Sequence, residues 1–319
     1  MSDIRQLCGW VRNDAGVTAC LENPNNKHPV FAGSARRVMA DYEKKDTLLY
    51  EPLLQVAPNY TRGAQGIGDC VSWGSELAAT LLVAKACLKN GRRQEFCEIA
   101  TEPFYGGARV EMNGGRPGGY EDGAYGAAAA QFAREYGCIS RKEHSLTTGN
   151  PEHDLRVYSK EKAKRWGNFG CGGQRDGGTL DRLAKEFPCK TTSQVHNFDE
   201  IAAAIAGSKC PVTIASDYGT DMSRDKDGFC KWNDSWPHQM VLIGVRFGRK
   251  PGCLCAQSWG PNVASGPRYP ETTPGNIAGF TWWIPATDID KIARTGDCHA
   301  FGDIDGWKID PFDWSDLWN

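Results

Sequence analysis

Cys70 stands where a helix should begin. The run VSWGSELAATLLVAKACLKN that follows it carries Leu77, Leu81, Ala84 and Leu88 at helical spacing, and Asn90-Gly91 stops it. A thiol at a helix N-terminus is stabilised as thiolate by unpaired N–H groups and the helix dipole. A neighbouring imidazolium lowers its pKa further, into the range of roughly 3.5–7.5 found for activated cysteines. Covalent catalysis through such a thiolate also needs a base, and donors aimed at a developing oxyanion. His238 is the candidate base. It opens an apolar run after Ser235-Trp236-Pro237, which predicts a ring at a strand end. Gln65, just upstream of Cys70, offers a side-chain amide that can form an oxyanion hole with the Cys70 backbone N–H. Gly66 and Gly68 let the chain turn sharply and let a substrate approach. Gln257 lies on the next strand run, where its amide oxygen can hold the His238 ring in the productive tautomer. Trp259, two residues on, can shield that bond from water. Taken singly, each has a plainer reading: a buried helix cysteine, a structural histidine, a core tryptophan.

Composition narrows the class. The chain has 319 residues, 40% of them apolar and 10% aromatic, enough for a substantial core in one large or two mid-sized units. A net charge of −2 gives no sequence-wide case for nucleic acid or an anionic membrane. No run of about 18 apolar residues predicts a membrane span. The polar N-terminus MSDIRQLCGWVRNDAG is not a secretory signal, so a reducing, cytoplasmic setting is expected. Thirteen cysteines are odd in number and scattered, unlike a disulfide framework. No CxxC pair exists, so no metal site or cofactor is expected. Cys253 and Cys255 would share one face of a strand and read as small buried residues.

The elements that must position these groups change character along the chain. Residues 1–46 are polar and read as an extension or wrapping arm. Residues 48–58 are apolar enough to dock on a core. Glycine-dense 105–123 predicts a loop, and Ala-rich 124–137 a helix ending on Gly137. Residues 140–176 are polar and predict an irregular insertion. Short amphipathic helices are expected over 179–187 and 198–206. After 210 come β-rich runs over 211–216, 238–247, 253–259 and 279–285. Helices first and strands second predict an α+β fold of two packed subdomains.

The landmarks Gln65-Gly66, Cys70, Pro211-Val212, His238, Gln257-Ser258-Trp259-Gly260 and Gly279-Phe280, with Gly118-Gly119-Tyr120 and Tyr136-Gly137-Cys138-Ile139 between, resemble in their order the papain-like cysteine peptidases. The resemblance covers about 48–292. Its texture is similar to papain-like proteins carried by tailed bacteriophages, which would make the chain virion-associated or active in a host cell. It implies a helical left subdomain over about 47–140, a β-rich right subdomain over about 190–296, and a cleft between them within a 47–296 domain. It implies Cys70 attack on an amide carbonyl of a peptide or protein substrate, with His238 protonating the leaving amine. It implies that Gly118 and Gly119 form the wall that pairs with an extended substrate. Ile67 stands where secreted relatives place a disulfide cysteine.

The sequence departs from the family around this frame. The family's nucleophile signature keeps only its Gly and Cys, as Gly68 and Cys70. Gln65 is one residue closer to the nucleophile than is usual. Asp69 replaces a small neutral residue, and a carboxylate there raises the thiol pKa unless paired or turned away. Gln257 replaces Asn and is one methylene longer, with Asn262 as a fallback. His238 follows Cys70 by 168 positions against roughly 130–150, which the insertion explains. Residues 1–46 are shorter than a typical inhibitory prosegment, so zymogen control is not expected. Residues 297–319, acidic and aromatic, are a candidate attachment to a protein partner or to the domain itself. The alternative to a peptidase is a papain-fold protein whose catalysis has decayed, kept as a structural component, for example of a phage particle. A compact cell-wall amidase of another Cys–His fold fits poorly with the long Cys70–His238 separation.

Overall fold

The computed structural model describes residues 4–22, 30–113, 122–170, 179–187, 189 and 191–302. The proposed wall Gly118-Gly119, Cys171 and the tail from 303 onward lie outside the described residues.

One long helix, Cys70–Lys89, runs through the left half, and its first twelve residues are all buried. Its length and hydropathy would suit a membrane span, but it is the core helix around which the others pack. Helices Tyr50–Val56, Thr101–Arg109 and Gly126–Tyr136 lie against it. The Ala-rich stretch forms Gly126–Tyr136 because small side chains allow close helix approach. Gly137, at φ +92°, ends it by returning its N–H to Ala133.

Two stretches expected to be irregular contain helices. Residues 101–109 are helical in spite of Gly106 and Gly107. A Cβ on Gly107 would stand 2.2 Å from the Phe132 ring, so the glycine is there for packing, not for a turn. The insertion holds the helix Lys160–Phe169, N-capped by Ser159, which buries Trp166 and packs on Thr101–Arg109.

The right half is an antiparallel sheet of strands β1 (Thr47–Leu48), β2 (Thr191–Gln194), β3 (Val212–Thr220), β4 (Trp232–Arg246), β5 (Gly252–Ala256), β6 (Thr281–Pro285) and β7 (Cys298–Gly302). The order is β2-β7-β3-β4-β5-β6, with β1 on β4. Near-continuous Val, Ile, Leu and Met in β4 fit a strand buried on both faces. Cys253 and Cys255 on β5 are fully buried free thiols.

Two strand boundaries differ from expectation, and both matter for the site. β4 begins at Trp232, so His238 lies within a strand and not at its end. Pro237 cannot donate to the ladder; the register shifts between Ser216 and Tyr218, and pairing resumes at Ser216–His238. β5 ends at Ala256, which leaves Gln257 in the turn that follows.

Candidate active site

Cys70 begins its helix with Asp69 at the cap position. Its sulfur accepts the backbone N–H of Gln239 at 3.4 Å, and the N–H of Gly9 is directed at it as well. The strand carrying His238 therefore reaches Cys70 through the next residue, Gln239, whose side chain is tied to Val71 O and Ser75 Oγ. The His238 ring stacks on Trp259 with centroids 3.9 Å apart and 23° between planes. Both His238 ring nitrogens are buried without a hydrogen-bond partner among the described residues. Burial pushes the Cys70 thiol up to about 12, and burial, with Arg62 nearby, holds the imidazole well below its usual range. In this state the pair is a neutral thiol and a neutral imidazole.

The reason is a segment of the chain itself. Residues 5–11 cross the cleft between the two halves. Arg5 pairs with Asp234, and Leu7 O accepts from Gln65 Nε2 at 2.6 Å. Gly9 O accepts from Ala124 N at 2.9 Å, and Val11 N donates to Ala124 O at 2.8 Å. Trp10 N reaches Pro237 O at 3.3 Å, the residue before His238. The fit at Gly9 is absolute: a Cβ there would lie 1.7 Å from Gly68 O, a backbone atom. Gly123, at φ +98°, makes the matching approach, since a Cβ on it would lie 2.4 Å from Gly9 O. Residues 1–46, read from the sequence as an extension or wrapping arm, include a segment that packs over Cys70.

The remaining expected residues fall as follows. Gln65 is fixed by Ser258, whose Oγ donates to Gln65 Oε1 at 2.6 Å; this turns Nε2 toward Leu7 O and Ile67 O. Gln257 makes no hydrogen bond to His238. Its Oε1 accepts from Trp259 N, and its Nε2 donates to Gly260 O at 2.7 Å. The longer side chain folds back on its own turn, so the expected orienting bond is absent. Asn262 Oδ1 accepts from Arg268 and does not hold the histidine either. Trp259 is buried beneath His238 and does not line an open cleft. The arm's backbone pairs with Ala124. A cavity of about 720 Å³ lies elsewhere, beside Leu82, Val83, Cys87 and Phe187 toward the far end of the Cys70 helix.

Asp69 is fully buried. One oxygen accepts from Tyr158 Oη at 2.9 Å, and the other has no partner among the described residues. Burial raises its pKa well above the ordinary carboxylate value, with Tyr158 opposing, so the side chain is held as the acid beside Cys70. The unfolded chain releases that proton near pH 3.8 while the folded chain keeps it, so stability falls as pH rises from there through the folded pKa. Asp69→Asn should therefore match the native chain below about pH 4 and exceed it by more than about 1 kcal/mol at pH 7, measured by urea unfolding. Equal stability at both pH values would mean the carboxyl is ionised in the fold.

Three residues that the sequence reading missed complete the site. Tyr158 links the insertion to the loop before Cys70, since its oxygen also accepts Gly66 N–H at 3.0 Å. Arg62, buried, ties the halves together through Gln257 O at 2.8 Å and Trp73 O at 3.0 Å, with Glu76 3.6 Å away. Asp297 receives the Trp10 indole N–H at 2.7 Å.

Set beside solved structures, the chain is similar to xylellain, a cysteine protease from Xylella fastidiosa. The TM-score is 0.58 at 16% identity, over 94% of this chain and 97% of that one. The fold is papain-like. The procathepsin B S9 of Trypanosoma congolense aligns with TM-score 0.53 at 12% identity, over 94% of this chain and 87% of that one. Procathepsin L2 from the larval midgut of Tenebrio molitor gives 0.51 at 12% identity, over 93% and 78%. No protein-family model and no curated protein matches the sequence. In this fold Cys70 lies on the helical half and His238 on the sheet half.

Proposed function

We propose that this chain is a cysteine peptidase, held latent by its own residues 5–11. The observation that supports this best is the segment lying across Cys70, a 3-10 turn over Ile4–Leu7 that puts the Leu7 carbonyl on the Gln65 amide, followed by residues whose backbone pairs with Ala124. A cleft that takes one peptide in this way is shaped to take another. With the arm displaced, water and the helix N-terminus favour the Cys70 thiolate, and an adjacent anion favours the imidazolium of His238. The thiolate attacks the substrate carbonyl carbon. Gln65 Nε2 and the Cys70 backbone N–H receive the oxyanion. His238 gives its proton to the leaving amine, then takes one from the water that releases the acyl group.

A second reading is a decayed papain-fold component. It draws on the unpartnered His238 nitrogens and on Gln257 being turned into its own loop. One experiment separates the two: hydrolysis of a mixed peptide library by the full chain carrying Gly9→Ala, which cannot close the arm, with and without Cys70→Ala. Hydrolysis that appears in the first and vanishes in the second supports the peptidase. No hydrolysis, with Cys70 no more reactive than Cys253, favours the structural component.

A further inference from the structure

The long helix that starts at Cys70 is closed in at one end and open at the other. Its first twelve residues are all buried. Beyond them Leu82, Val83 and Ala86 are only half-buried among the described residues. With Ala79 they stand at i, i+3, i+4 and i+7, so they form one apolar stripe along the helix. The stripe and Phe187 line the cavity of about 720 Å³. A core helix that leaves such a stripe to water forgoes burial that its side chains could make.

The mouth of the cavity does not favour a charged ligand. Arg92, Lys142, Glu95 and Glu186 line it, balanced in sign, and Arg92 is already paired with Glu95. One segment of the chain is led straight to this place. Gly302, the last residue of β7, lines the cavity, so the chain leaves the sheet there. The seventeen residues that follow, DIDGWKIDPFDWSDLWN, set Trp307, Phe312, Trp314, Leu317 and Trp318 among aspartates. Such a length reaches up to about 55 Å when extended, whereas a helical stripe from i to i+7 is about 10 Å long.

We propose that this cavity is the docking site of the chain's own residues 303–319, with their tryptophans filling it and their aspartates left in water. The docking stands independently of the peptidase reading. A tether that begins at the cavity presents the tail at a local concentration of about a millimolar, so an intrinsic Kd of about 0.1 mM keeps it about nine-tenths docked. Cys87, half-buried and lining the cavity, reports the occupancy, because its thiol reacts only while the tail is lifted.

The test uses the full-length chain carrying Trp307→Ser, Trp314→Ser and Trp318→Ser. Iodoacetamide should modify Cys87 about tenfold faster in this variant than in the native chain at the same pH, read by mass spectrometry. The reciprocal variant Val83→Lys leaves the tail intact and should speed Cys87 by a like factor. Cys253, fully buried, should stay unreactive in all three chains, which shows that they are folded. A peptide of residues 303–319 at about 1 mM should return the tryptophan variant to the slow rate, and a scrambled peptide should not. Equal Cys87 rates in the native chain and both variants overturn the proposal. So does restoration by the scrambled peptide, which would make the cover unspecific. Protection that fades when the native chain is diluted would put the tail of a second copy in the cavity and overturn docking on the same chain.

Discussion

The Gly9→Ala chain should alkylate at Cys70 about 10²–10³ times faster at pH 7 than the native chain. A single methyl does this because it has nowhere to go. Its carbon would fall 1.7 Å from Gly68 O, 2.3 Å from Gly68 C and 2.7 Å from Gly68 Cα. The loop on the other side cannot yield easily, since Gly66 N–H is bound by Tyr158 Oη and Gly68 N–H by Asp122 Oδ2. The arm is the weaker partner and must lift. Under the arm the thiol sits at about 12, which leaves on the order of one molecule in 10⁵ as thiolate at pH 7. A helix N-terminus open to water and to His238 brings such thiols to roughly 3.5–7.5. Taking a fall of about five units, the thiolate population rises about 10⁵-fold. A less basic thiolate is a poorer nucleophile, with a Brønsted slope of about 0.4–0.5, which removes about two to two and a half powers of ten. The pH profile carries the same information. The native rate should climb about tenfold per pH unit through neutrality, while the variant rate should level off above its lowered pKa. Mass spectrometry at each cysteine reads both. An unchanged Cys70 rate in a folded variant would mean that the arm does not control the nucleophile.

The parts of the site legible in the sequence were those carried by local pattern. The Cys70 helix announced itself through apolar residues at helical spacing and a clear stop at Asn90-Gly91. The strands of the second half were legible as β-branched runs between Gly and Pro, and the collinear landmarks fixed the fold class. Boundaries were less legible where a residue breaks its usual rule. Pro237 suggested a strand entry, yet the sheet passes through it with an irregularity opposite Ser216–Tyr218. Gly106 and Gly107 suggested a loop, yet both lie in a helix, where Gly107 makes room for the Phe132 ring.

What the sequence could not show was contact between distant residues. Trp10 meets Asp297 across 287 positions, and Tyr158 meets Asp69 across 89. Neither residue has a local pattern that calls for the other. Asp69 looked like an ionised neighbour that would spoil the thiolate. Its burial and the single bond from Tyr158 make it a neutral acid, a property of the fold and not of its position beside Cys70. The arm was hidden for the same reason: polarity and length described residues 1–46 as an extension, while the decisive feature is that Gly9 lacks a side chain where Gly68 comes closest.

The two residues read as partners in the triad should separate sharply in kinetics. In the Gly9→Ala background, His238→Ala should lower kcat/KM by about 10³-fold or more, whereas Gln257→Ala should lower it less than about tenfold. The difference follows from what each side chain touches. His238 is held by shape: it lies on Trp259, with Trp236 edge-on at 5.9 Å, and its nitrogens remain available. That arrangement leaves the ring able to face Cys70 once water enters, and the thiolate itself then raises the imidazole pKa from the depressed value that burial imposes. Gln257 spends both ends of its amide on Gly260 O and Trp259 N, so its loss loosens the turn under the stacked ring without removing a proton carrier. A loss at Gln257 as large as that at His238 would sink this division of roles. It would mean that arm release turns the amide onto the imidazole, and that the turn from 257 to 260 has two states, one latent and one catalytic.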